Sequence, residues 1–199
     1  MEQDFILQHF RDTDALLEGH FVLSSGLHSG SYLQCAKALE FPYDASNYGH
    51  AIAATVVEHM RAEGLKPETV KTVAAPAIGG LVIGYEVAKA LNLRFIWTER
   101  KEGVMKLRRG FEITQGEKIL VVEDVITTGG SVRECVEVLK MHGADVMSGA
   151  SIVDRSGGAA EIGVPRVALV EMDVPSYEPS ACPLCEQGIE AVKPGSRHT

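Results

Sequence analysis

Several things are missing from this chain of 199 residues. No apolar run approaches the roughly 18–20 residues that a bilayer span requires. The opening stretch, MEQDFILQHF, has neither the basic start nor the apolar segment of a secretory signal. Positive charge is in short supply: 19 Lys and Arg stand against 27 Asp and Glu, a formal net charge of −8. That excludes a whole-molecule basic field for nucleic acid, though not a local basic patch. Cysteine is scarce too. Cys35, Cys135, Cys182 and Cys185 are too few and too scattered for a disulfide scaffold, so a reduced, cytoplasmic protein is expected. Internal repeats and low-complexity tracts are absent. What is present, 45% hydrophobic and 23% charged residues, is ordinary for a soluble globular protein. The length suits one domain with a sizeable core.

The N-terminal part reads as an amphipathic helix or pair of helices over about 2–18. Two short extended pieces follow, Phe21-Val22-Leu23 and Ser31 to Gln34, joined by a polar, glycine-containing stretch that suggests a hairpin. From about residue 46 the texture changes. Apolar spacing predicts helices over about 47–63, 79–91 and 131–142. Short, almost wholly apolar runs over about 70–75, 94–98, 118–122, 146–153 and 167–172 read as strands. Strands apolar on both faces and alternating with helices imply an α/β fold with a mostly parallel sheet covered on both sides. Ligands in such folds bind at the carboxyl ends of the strands. Those ends here are Pro76 to Gly80, Glu99 to Lys101, Glu123-Asp124 and Asp154-Arg155, all polar or glycine-rich.

The most informative segment runs from Ile119 to Ser131. A buried strand ends in two adjacent carboxylates, Glu123 and Asp124. Val125 and Ile126 follow, and then Thr127-Thr128-Gly129-Gly130-Ser131 opens a helix. Two glycines let the backbone approach an anion, and successive N–H groups at a helix start favour phosphate. The hydroxyls of Thr127, Thr128 and Ser131 can add hydrogen bonds. The acidic pair would repel phosphate and suits sugar hydroxyls or a neighbouring magnesium ion instead. The plainer alternative is an N-cap turn preceded by two exposed acids. No Gly-Lys-[Ser/Thr] follows, so this is not a Walker loop, and the glycines do not space as G-x-G-x-x-G.

VVEDVITTGGS resembles the phosphoribosyl pyrophosphate motif of type I phosphoribosyltransferases. The resemblance implies that Glu123 and Asp124 hold the ribose 2′ and 3′ hydroxyls, while residues 127–131 cradle the 5′-phosphate.

Five of the 19 basic residues fall within ten positions: Arg100, Lys101, Lys106, Arg108 and Arg109. Gly103 and Gly110 bracket most of them, which suggests a loop able to move. In an acidic protein this island suits a polyanion such as pyrophosphate. The alternative is a solvated basic hairpin. Arg100-Lys101-Glu102 is similar to the start of the catalytic loop in orotate phosphoribosyltransferases, which closes over the neighbouring subunit's site in a dimer. That resemblance gives Lys101 and Lys106 catalytic roles beside Asp124, and makes Arg100 and Arg108 phosphoribosyl pyrophosphate contacts. Better-known members place a histidine after the second lysine. None stands in Gly103 to Phe111, so Arg108 or Arg109 takes its contact.

Gly19 to Tyr32 is similar to the hood that covers the base in the same family, with His28 where many members have lysine. The family's matching arginine makes Arg155, with Thr127, the expected orotate contacts; a guanidinium fork suits a carboxylate. A surface arginine paired with Asp154 is the alternative. Pro76 to Gly80 resembles the family's pyrophosphate loop, or is simply a tight strand-to-helix turn. The resemblance therefore implies a phosphoribosyltransferase domain with a hood over about 1–45, a core over about 46–174 and an extension over about 175–199. The implied reaction joins orotate to phosphoribosyl pyrophosphate in pyrimidine (UMP) synthesis. Magnesium is the implied cofactor, carried mainly by the substrate without direct side-chain ligation, and a homodimer is expected, with no nucleic-acid or membrane partner. Rivals are a purine-base phosphoribosyltransferase and a regulator that senses phosphoribosyl pyrophosphate. Cys182-x-x-Cys185 raises zinc, but a structural site normally has four ligands. The other cysteines fall in a predicted strand region and on a helix's buried face, so a reduced structural turn is the expectation.

Overall fold

The computed structural model describes residues 1–23 and 26–194. The chain divides into two compact units, one built from Leu39–Met172 and the other from Glu2–Ala38 together with the segment from Asp173 onward. The expected hood and C-terminal extension thus share one unit. It opens with α1 (Gln3–Asp12), β1 (Leu16–Val22), β2 (His28–Leu33) and the short α2 (Cys35–Ala38). The larger unit follows with α3 (Pro42–Ala62), β3 (Thr72–Pro76), α4 (Gly80–Leu91), β4 (Arg94–Lys101), β5 (Val104–Leu107), β6 (Lys118–Ile126), α5 (Gly130–Met141), β7 (Asp145–Asp154) and β8 (Arg166–Glu171). The chain then returns to the smaller unit with β9 (Ser176–Tyr177) and α6 (Pro183–Glu186).

The larger unit is a six-stranded sheet in the order β5-β4-β3-β6-β7-β8, parallel throughout except for β5 at one edge. Its central strands are buried on both faces, which is why they read as unbroken apolar runs. On α5, Val132, Cys135, Val136 and Leu139 form the inward stripe and pack in one cluster with Ile119 and Val121 of β6. Each such burial is worth ~1.5–3 kcal/mol. Parallel strands bring their carboxyl ends to one edge, so Pro76, Glu123 to Ile126 and Asp154 come side by side without any of them being near in sequence.

Four expectations are corrected. The helix expected over 2–18 stops at Asp12, because Thr13 turns its hydroxyl back onto the His9 carbonyl (2.7 Å) and Asp14 takes a positive φ of 55°. Asp tolerates that conformation through its short polar side chain. Leu16 and Leu17 then pair with Leu33 and Tyr32 of β2 instead of continuing a helical face. Secondly, α3 starts at Pro42, earlier than expected, since a proline at the first helical position loses no hydrogen bond. Thirdly, the basic segment is no open loop. Strand β4 continues to Lys101, turns at Glu102-Gly103 and returns as β5, with Thr98 opposite Leu107 and Lys101 opposite Val104. Met105 is buried by that pairing, and beyond it Trp97 meets Phe111 edge to face at 4.7 Å. Cys35, expected in a strand region, begins α2.

Candidate functional site

The carboxyl ends of β3 and β6 and the start of α5 line a cleft of about 320 Å³ in the larger unit. Every residue from Glu123 to Ser131 borders it, as do Ala77, Ile78 and Gly79 of the turn after β3. Residues 123–131 of the sequence-predicted phosphoribosyl pyrophosphate motif and three of the five residues of the predicted pyrophosphate loop therefore border one cavity.

The acidic pair is set into the sheet, not exposed on it. Glu123 is 7% exposed. Burial holds its carboxyl well above the usual carboxylate range, and the charge of Asp124 raises it further. Asp124 is also raised, again chiefly by burial. Its Oδ1 accepts the Val125 N–H at 2.8 Å, while the Asp124 N–H reaches Glu123 Oε1 at 3.2 Å. The turn after β3 presses close against this pair. A Cβ at Gly79 would lie 2.8 Å from Asp124 Oδ1, so only glycine leaves the carboxylate its place. The Ala77–Ile78 peptide bond in this turn is cis, and the Ala77 N–H donates to the Thr98 carbonyl at 2.7 Å.

The helix start decides between the two readings of Thr-Thr-Gly-Gly-Ser. The cap position of α5 is Gly129, with φ 75°, and no side chain caps the helix. Its first N–H groups are therefore left without a side-chain acceptor and face the cleft, where an anion can take them. A side chain at Gly129 would need that rare φ and would put its Cβ 2.8 Å from Ile162. With Glu123 buried, Asp124 half-buried and no side chain capping the helix, neither premise of the N-cap reading is met.

Arg155 follows β7, and its backbone N–H donates to the Ile126 carbonyl at 2.8 Å, which ties the two strand ends together. Its neighbour Asp154 is buried. That carboxylate accepts from the Ser156 N–H (2.7 Å) and hydroxyl (2.6 Å), and its other oxygen stands 3.2 Å from Arg166 Nε without hydrogen-bond alignment. Arg155 is not among the residues lining the cleft.

Nor are the basic residues of β4 and β5. Arg108 and Arg109 both bind Glu99, at 2.7 and 3.0 Å, and hold its carboxyl below the usual range, Arg109 foremost. Arg100 pairs with Glu134 on α5 at 2.7 Å and donates to the Gly103 carbonyl. Among the described residues, exposed Lys101 and Lys106 have no ion-pair partner. Sequence reasoning missed Glu99 and Glu134 as counter-charges. Glu99 adjoins the basic run and was readable; Glu134 lies on another element and carried no signal. The hood residues Gly19 to Tyr32 belong to the smaller unit, with Ser24 and Ser25 outside the described residues.

Comparison with known proteins agrees with this geometry. Residues 44–174 match the phosphoribosyl transferase domain family. The chain is 50% identical over 197 residues to the orotate phosphoribosyltransferase of Caldicellulosiruptor bescii, covering 99% of both chains. It is 54% identical over 185 residues to that of Thermotoga maritima, covering 93% of this chain and 94% of the other. The crystal structure of orotate phosphoribosyltransferase from Aeropyrum pernix superposes with a TM-score of 0.67 at 24% identity, over 83% of this chain and 93% of that one, a likeness of fold. A cleft with a buried acidic pair beside an uncapped helix start, carried by a chain with full-length relatives of this kind, places the protein: it belongs to the orotate phosphoribosyltransferases, pentosyltransferases of the type I phosphoribosyltransferase fold.

Proposed function

We propose that this protein transfers the 5-phosphoribosyl group from phosphoribosyl pyrophosphate to orotate in the cytoplasm, yielding orotidine 5′-monophosphate and pyrophosphate for UMP synthesis. The observation that carries the proposal is the joining of Glu123, Asp124 and the α5 start in one cleft. The 5′-phosphate sits on the N–H groups and hydroxyls of residues 127–131. Glu123 and Asp124 accept hydrogen bonds from the ribose hydroxyls, which donate to carboxylates. As the C1′–O bond to pyrophosphate breaks and the C1′–N bond to orotate forms, positive charge grows on the ribose ring. The two carboxylates lie under that ring, in a site dry enough for charge to count. Lys101 and Lys106, unpaired among the described residues, meet the negative charge that gathers on the leaving group. Arg155 takes the orotate carboxylate, with Thr127 beside it.

The donors at the β6 end are hard oxygens, which suit magnesium. Glu123 and Asp124 would hold that ion through the substrate's ribose hydroxyls, with the diphosphate supplying most of its ligands. When bound, magnesium neutralises pyrophosphate as it departs. A homodimer with the basic hairpin shared between subunits fits the exposure of Lys101 and Lys106 and the exposed apolar side chains Val82 and Tyr85 on α4.

The test follows the loss of orotate absorbance with magnesium and phosphoribosyl pyrophosphate, with adenine, guanine, hypoxanthine and xanthine offered in parallel. Turnover with orotate alone is expected. Turnover with a purine, or tight phosphoribosyl pyrophosphate binding with no acceptor consumed, would overturn it.

A further inference from the structure

The smaller unit holds a cluster that the transfer reaction does not use. His20 on β1, His28 at the start of β2, Cys182 just before α6 and Cys185 within it point one ligand atom each at a common centre, all within 4.8 Å of one another. His20 Nε2 lies 2.8 Å from His28 Nδ1, 3.5 Å from Cys182 Sγ and 3.8 Å from Cys185 Sγ. Cys185 Sγ is 3.2 Å from His28 Nδ1. Tetrahedral coordination by two thiolates and two imidazoles, at roughly 2.3 and 2.0–2.1 Å from zinc, sets neighbouring ligand atoms about 3.3–3.8 Å apart. The four separations above, 2.8–3.8 Å, fall in or just below that range.

The surroundings are also those of a ligand set. His20 is 3% exposed, and its other ring nitrogen, Nδ1, lies 2.7 Å from the Ile189 carbonyl. Donation there fixes the tautomer and leaves the Nε2 lone pair aimed into the cluster. A register irregularity between Glu18 and Phe21 re-aims the backbone at His20, and opposite Val22 the ladder places His28. The tail is brought to the same place by the Val22 and Val192 N–H groups, which donate to Val192 and His20 carbonyls at 2.9 and 2.8 Å. Cys182 is buried and both thiols are free, while the exposure of Cys185 leaves a way in for an ion.

We propose that His20, His28, Cys182 and Cys185 bind one zinc ion, a structural staple that fastens the C-terminal tail to the N-terminal hairpin. Two thiolates and two imidazoles in a closed tetrahedral set select zinc over hard cations such as magnesium. In a unit this small an apolar core alone gives marginal stability, which is where a metal contributes most to folding. The expectation of a reduced cysteine turn is superseded here: the missing two ligands are histidines, supplied from the other end of the chain.

The experiment uses the full chain, without an affinity tag, purified from zinc-supplemented medium. Elemental analysis should find about one zinc per chain, falling to a small fraction in Cys185→Ser and in Cys182→Ser/Cys185→Ser. Cobalt put in place of zinc should give the visible bands of a tetrahedral thiolate site. A zinc chelator should lower Tm by roughly 5–10 °C, reversed by added zinc and not by magnesium. Should the double variant fail to fold, the cobalt spectrum and chelator response of the unmodified chain still decide. Substoichiometric zinc with no cobalt spectrum, or a Cys182–Cys185 disulfide in its place, would overturn the proposal. None of these readouts depends on turnover.

Discussion

The β6–α5 cleft and the β4–β5 hairpin carry charges that we assign to the same substrate, yet one is sunk in the sheet and the other stands in water. In the cleft, Glu123 is nearly inaccessible, on a strand whose residues from Ile119 to Glu123 are all buried. At the hairpin, Arg100 and, just after β5, Arg108 and Arg109 are roughly half exposed and already paired, with Glu134 and with Glu99. On that assignment, groups in place before the substrate arrives are held by burial, at a cost in stability, while groups that would close over it stay solvated, where pairing is weak and exchangeable. Each prediction below tests that contrast.

The largest effect is expected at the acidic pair. Glu123→Gln with Asp124→Asn should lower kcat by about 10³-fold or more, because two carboxylates in a dry site are lost. The same change should stabilise the fold. Both carboxyls titrate above their ordinary range when folded, so the folded protein binds more protons than the unfolded chain once pH rises past the ordinary carboxylate range. Stability then falls as pH rises through that window, and the neutral amides remove the penalty. A Tm at neutral pH higher by about 2–4 °C, with the gain absent in acid, is the expected result. A less stable, normally active double variant would break the comparison at its strongest point.

Next comes the hairpin. Lys101→Ala should lower kcat by about 10²-fold with Tm unchanged, since an exposed lysine without an ion pair contributes little to the fold. It also sharpens the question of reach. If the proposed dimer shares its hairpins, mixing the Lys101→Ala and Asp124→Asn proteins under verified subunit exchange should recover activity toward half of wild type per heterodimer, because one site then has neither defect. Exchange without recovery would place each hairpin over its own subunit's cleft.

Arg155→Ala should be smaller and more selective. One charge-assisted hydrogen bond to a carboxylate is worth ~1.5–3 kcal/mol, so KM for orotate should rise about 10–100-fold while that for phosphoribosyl pyrophosphate barely moves. Equal rises would assign Arg155 to another contact.

The smallest effect belongs to Glu99→Gln. Releasing Arg108 and Arg109 should leave Tm almost unchanged, because the pairs are solvent-screened. Any stabilising contribution of Glu99 is present above the ordinary carboxylate range and is lost as pH falls through its lowered pKa, so variant and wild type should converge in acid. A denaturation series in pH and salt reads this directly.

Much of the cleft was legible because it is local. Strand, acidic pair, glycine turn and helix follow one another from Ile119 to Leu139, and burial of β6 and the apolar stripe of α5 are written in their periodicities. Less legible was anything that depends on a partner strand. Leu16 and Leu17 have a helical spacing with Phe10, but β2 supplies hydrogen bonds that a helix could not better, and Asp14 allows the break. The basic run looked like a loop because Gly103 and Gly110 bracket most of it; pairing with β4 and the burial of Met105 decide it.

From the residues alone came the chemistry of the β6–α5 motif, since an anion site built from successive backbone N–H groups needs only the order of a strand, two acids, two glycines and a helix. Only the tertiary structure decided that Glu123 is buried, Asp124 half-buried and the helix uncapped, for burial depends on which strands flank β6. Only it could assemble His20, His28, Cys182 and Cys185, because the first and third stand 162 positions apart and no local spacing encodes a contact made through sheet register.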